Sequence, residues 1–164
     1  MKIILITAIT ISVLACHQSG HSGHQDLQNQ IDSLRNKIAH AYSPGVGEFM
    51  SSIQMHHAKL WFAGKNENWD LANFEIEEIQ ESLDDIQQYC ADSPSIKTLP
   101  MIFAPLDSVK HAISEKNTGR FKTSFNLLTN TCNSCHQASN RPFNVIRIPD
   151  TPPVSNQVFE KNNH

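Results

Sequence analysis

Between Val46 and Ala138 apolar residues recur every three or four positions in four successive runs, the spacing that gathers them on one face of an α-helix. The first run covers 46–64, carries Phe49, Ile53, Leu60 and Gly64 on one side, and closes with Gly64 and Lys65-Asn66-Glu67-Asn68 as C-cap, turn and next N-cap. The second covers 69–90, with Ala72, Ile76, Ile79, Leu83, Ile86 and Cys90 as its inner stripe. After the loop ADSPSIKT, a third helix is expected over 100–116, opened by Pro100 or Pro105 and burying Leu106, Val109 and Ile113. The fourth covers 118–138 and turns Phe121, Phe125, Leu128, Cys132 and Cys135 inward. No alternating strand pattern competes with these runs. Each stripe needs the others to cover it, so an all-α, four-helix bundle over 44–140 is the expected fold.

The flanks read differently. Met1-Lys2 precedes a short apolar run, IILITAITISVLAC, too brief to span a bilayer comfortably, so 1–15 is expected to be an export signal. Val13-Leu14-Ala15-Cys16 resembles a bacterial lipobox, which makes Cys16 the candidate lipidation site and the first mature residue. The protein is then expected in the periplasm or cell envelope, held to a membrane by its lipid anchor. The stretch HQSGHSGHQ, 17–25, has no core-forming residue and reads as a tether; its His17, His21 and His24 could otherwise catch a metal ion. Leu27, Ile31, Leu34, Ile38 and Ala41 then follow a heptad, giving a short amphipathic helix over 27–41 that either pairs copies into a homo-oligomer or packs back on its own domain. SPG at 43–45 ends it. At 164 residues the chain suits one domain, and a net charge of −3 without a basic, aromatic-interleaved cluster argues against nucleic acid as a partner.

Residues 131–138 read TCNSCHQA. C-x-x-C-H is the attachment signature of haem c, because two thiols separated by two residues reach the two vinyl groups of one porphyrin while the adjacent imidazole meets the iron. Cys132 and Cys135 are then the covalent anchors and His136 the proximal iron ligand. A disulfide between the two cysteines would close a cramped loop on a helix. A thioredoxin-like pair wants a βαβ setting that is missing. Zinc could take both thiolates and His136, giving a haem-free helical lipoprotein, but the sequence has no second C-x-x-C to complete a closed site.

With four helices and GRFKTSFNLLTNTCNSCHQA leading into C-x-x-C-H on the last, residues 44–140 resemble the class II cytochromes c, of which cytochrome c prime is the best-known type. The resemblance implies one covalent haem between the helices, His136 on one face of the iron and a side chain of the first bundle helix on the other. That helix reads MHHAKLWFAG in its middle. At about 100° per residue, His57 falls about 40° from Ile53 and His56 about 60° to the other side, while Met55 is nearly opposite. Placement from Pro44 instead brings the family's distal position to Met55. The ranking is His57, His56, Met55 and then Met50, beside an open distal site.

A histidine or methionine ligand favours electron transfer, and an exported monohaem cytochrome working with redox partner proteins is the leading reading. An open iron would instead bind or sense a small gas such as NO or CO. No nucleophile with a positioned base is visible, so an enzyme acting on an organic substrate is not expected. Asp70, Glu75, Glu77, Glu78, Glu81, Asp84 and Asp85 give the second helix an acidic, solvated face that a basic redox partner could use. Among the basic residues from Lys97 to Arg147, one is expected to pair with a haem propionate. Trp61, Phe62 and Trp69 are expected to pack near the first turn of the bundle, and Cys90 to be a buried free thiol. The Pro-rich tail, 141–164, cannot extend the last helix; its Phe143, Val145, Ile146 and Ile148 are expected to lie extended against the bundle.

Overall fold

The structure, a computed structural model, describes residues 23–38 and 44–161, in two units that divide after Ser43. The signal segment 1–15, Cys16, His17, His21 and Ala41 lie outside the described residues. In the first unit, residues 23–38 form a helix, α1, which begins inside the stretch expected as tether. Gln28 donates to Asp32 (3.2 Å) and Gln30 to Asp26 (3.0 Å), each pair one turn apart, and the seam residues Leu27, Ile31, Leu34 and Ile38 are exposed.

The second unit is all-helical: α2 (Val46–Lys65), α3 (Trp69–Tyr89), a 3-10 turn (Pro94–Thr98), α4 (Pro100–Ser114) and α5 (Thr118–Ala138), with no strand among the described residues. α2 packs along α3 and α4 along α5, and contacts between the two pairs are sparser. The two hairpins turn in the same way. Glu67 (φ 59°) and Lys116 (φ 51°) take the left-handed conformation just past their helices. Asn68 N–H then reaches back to Ala63 O (3.0 Å) and Asn117 N–H to Ala112 O (3.1 Å), satisfying carbonyls that the helix ends leave open. The same two asparagines cap the next helices, Asn68 Oδ1 accepting from Leu71 N–H (3.3 Å) and Asn117 Oδ1 from Arg120 N–H (2.9 Å). This turn at Lys116 ends α4 at Ser114, two residues short of expectation. Pro100 opens α4, and Pro105 lies buried inside it.

Gly64 is not the C-cap that its sequence context suggests. It sits inside α2, and a Cβ there would overlap the ring of Phe121 on α5. Phe121 and Phe125 are fully buried; the Trp61 and Phe125 rings lie 5.1 Å apart and those of Trp69 and Phe121 6.1 Å, so aromatic rings fill the end of the bundle near the α2–α3 turn. Gly64→Ala is expected to cost about 1–3 kcal/mol through this overpacking. A urea unfolding curve checks it, and adding Phe121→Leu should offset part of the loss.

After α5 the chain carries no further helix to Lys161. Its anchoring differs from expectation. Phe143 and Val145 are 83% and 71% exposed, Ile148 packs partly against the core, and Phe159 in the second half of the tail is buried on Phe62 (ring centroids 5.8 Å apart). Asn68 Nδ2 donates to Glu160 O (3.1 Å), fixing that contact beside the first hairpin turn. Among the described tail residues Phe159 alone meets an aromatic ring, a contact that composition does not reveal.

Candidate functional site

The other end of the bundle is less filled. There the first half of α2, the 3-10 turn and the second half of α5 enclose two adjoining cavities of about 320 and 40 Å³. Both are bordered by Met50, Ile53, His57, Leu99, Cys132, Cys135 and His136. The larger also touches Arg141, Phe143, Asn144 and Ile146 of the tail; the smaller is walled by Ile79, Leu83, Ile102 and Leu128. Its size puts the larger cavity within the roughly 300–1,000 Å³ of small-molecule and cofactor sites.

Three of its residues come from one stretch of α5. Because α5 continues unbroken through Ala138, Cys132, Cys135 and His136 share one helical face. Both cysteines are free, and Cys135 Sγ donates to Thr98 O (3.4 Å). Burial, reinforced by Cys135, pushes the Cys132 thiol up to about 12, and burial also raises that of Cys135. His136 Nδ1 lies 2.7 Å from the carbonyl oxygen of Asn144 in the tail.

The distal candidates separate. His57 is 3% exposed and faces the cavities from α2, with its ring centroid 4.4 Å from that of Phe125. Its Nε2 is 2.9 Å from Thr129 Oγ1, and that hydroxyl donates its single hydrogen to Phe125 O (2.9 Å). Thr129 therefore accepts from His57 Nε2–H, which leaves the lone pair on Nδ1. His56 lies elsewhere: its Nδ1 is 2.7 Å from Glu75 Oε2, and Glu78 is 3.8 Å from its Nε2. Met55 is 41% exposed and lines neither cavity, whereas Met50 lines both. Reading Glu75 as part of a solvated acidic face is corrected here, since it is fully buried against His56. Cys90 is buried, its Sγ donating to Pro44 O (3.3 Å). Thr129, Asn133 and Asn144 were not legible as site residues. Thr129 alone left a trace, as a polar residue one turn before Cys132 on the inner stripe.

Burial holds the folded His57 near pKa 4, against its ordinary 6.5. Between those values the unfolded chain binds more protons, so stability is lost as pH falls from about 6.5 to about 4 and does not fall further on this ground below it. Without haem, His57 alone is expected to account for a loss of about 3 kcal/mol across that window, and His57→Leu to remove that part of the pH dependence. Denaturant midpoints at several pH values measure it.

Comparison with protein-family models, curated proteins and solved structures gives no match for this chain.

Proposed function

We propose that the chain is an exported monohaem c-type cytochrome that carries electrons, with haem c bonded to Cys132 and Cys135, His136 as its proximal iron ligand and His57 opposite. One observation carries this reading: the two thiols and the imidazole of C-x-x-C-H meet a second, buried imidazole from α2 around one cavity. The residues fit the group. Ile53, Leu99 and Leu128 offer aliphatic walls to a porphyrin face, and Arg141 stands at the rim where a propionate would need a cation. A thioether carries no charge, so it escapes the burial penalty that a thiolate meets at Cys132. Bound haem supplies one-electron chemistry at iron, and the chain's residues anchor it, orient it and keep water from it.

The resemblance of residues 44–140 to class II cytochromes c supports the same reading, and the export signal with Cys16 supports a lipid-anchored place in the cell envelope. Exposed acids on α3, such as Glu77 and Asp84, offer a docking face to a basic redox partner. A zinc site is less well supported. Among the described residues no group of three His, Cys, Asp or Glu gathers to hold a metal ion, and the sequence has no second C-x-x-C to complete a closed site.

One observation favours a second use of the same haem, binding of NO or CO at an open iron: His57 spends its Nε2–H on Thr129 rather than presenting that nitrogen to the cavity. Optical and electron paramagnetic resonance spectra, taken with and without CO, decide between the two. A low-spin spectrum unmoved by CO and made high-spin by His57→Ala supports electron transfer. A high-spin spectrum that takes up CO at once places gas binding first.

A further inference from the structure

The tail beyond α5 does more than leave the bundle. Asn140 (φ 59°) ends the helix, and Arg141 N–H bonds back to the carbonyl of His136 (2.8 Å), which returns the chain alongside its own last turn. Asn144 N–H then donates to Arg141 O (3.1 Å), and the Asn144 carbonyl comes to lie 2.7 Å from His136 Nδ1. A carbonyl oxygen only accepts. His136 Nδ1 therefore carries a hydrogen, and in the neutral ring Nε2 keeps the lone pair.

Phe143 and Val145, on either side of that carbonyl, do little to hold it, being 83% and 71% exposed. Asn133 supplies the hold. It stands between the two cysteines, and its side chain grips the tail's backbone in both directions, Nδ2 donating to Ile146 O (2.8 Å) and Oδ1 accepting from Ile146 N–H (2.7 Å). Haem attachment asks nothing of this position, whose side chain is instead committed to the tail.

We infer that tail residues 141–146 form the positioning shell of His136: the Asn144 carbonyl fixes the tautomer that leaves Nε2 for a metal, and Asn133 pins that carbonyl. This rests on the reading of His136 as an iron ligand. A carbonyl partner on the far ring nitrogen orients a ligating imidazole and raises its basicity, which lowers the reduction potential of the iron it binds. Asn133 is thus a positioning residue.

The test uses full-length protein and two variants that open the clamp from opposite sides, Asn133→Ala and Ile146→Pro. In the haem-loaded protein both should shift the midpoint potential upward, Asn133→Ala more because it removes both bonds. In the haem-free protein, nitrogen-resolved NMR should show His136 as the single Nδ1–H tautomer, turning to a mixture in both variants. Val145→Ser, exposed on the same segment, should move neither readout. A wild-type His136 protonated at Nε2, or an Asn133→Ala protein with tautomer and potential unchanged, overturns the inference. Wild-type protein that matures without covalent haem overturns the cytochrome reading instead, while the tautomer measurement still decides whether the tail sets the state of His136.

Discussion

Replacing Cys132 and Cys135 together with serine is expected to remove all haem that survives denaturation of the protein, while Cys90→Ser leaves it in place. The three cysteines differ in where their sulfur points. Cys132 and Cys135 line the cavity beside His136, whereas Cys90 is buried at the end of α3 and donates to Pro44 O (3.3 Å), a bond that serine can keep. Either single replacement, Cys132→Ser or Cys135→Ser, should retain haem through the remaining thioether at reduced yield. Haem staining of the denatured protein on a gel reads all four variants, and equal haem in the double variant and the parent would refute the assignment of the anchors.

The largest stability effect is expected at a pair outside the cavity. Glu75 is fully buried, with Oε2 on His56 and Oε1 without a hydrogen-bond partner in the structure, so the imidazole is what its carboxylate has in place of water. His56→Ala leaves that buried carboxyl without its partner and should cost about 3–5 kcal/mol. Replacing the pair with apolar residues, His56→Leu with Glu75→Met, should restore most of the loss, because a buried polar group left without its partner costs more than a pair that is absent altogether. Denaturant unfolding of the two proteins at neutral pH makes the comparison. Equal stability of His56→Ala and the parent would mean that Glu75 finds another partner.

The helices were legible because their signal is local. Ile76, Ile79, Leu83 and Ile86 lie on the stripe that α3 buries, and Asn68 caps it as its position suggests. The spacing that sets His57 beside Ile53 and Met55 opposite is also the structure's arrangement: α2 runs without a break from Val46, so His57 is buried and Met55 exposed. What escaped the sequence depends on partners far along the chain. Gly64 looks like a helix end until the ring of Phe121 approaches it from α5, and the left-handed turn falls on Glu67 instead. Glu75 looks like one more solvated acid until His56 meets it from another helix. The tail's anchor was misplaced for the same reason, since Phe143 and Phe159 are equally apolar as letters and only Phe159 meets Phe62. Asn133, as an unspecified position within C-x-x-C, gave no hint that its amide would clamp a backbone at Ile146.

The most direct measurement is the mass of the intact protein, matured by cells that assemble haem c and then extracted with acidified acetone. A parent heavier by one haem than the double Cys132→Ser, Cys135→Ser variant matured in the same cells, after allowance for the two sulfur-to-oxygen exchanges, is the expected result. A wild-type protein that differs from that variant only by the two sulfur-to-oxygen exchanges would contradict the assignment of Cys132, Cys135 and His136 as a haem site.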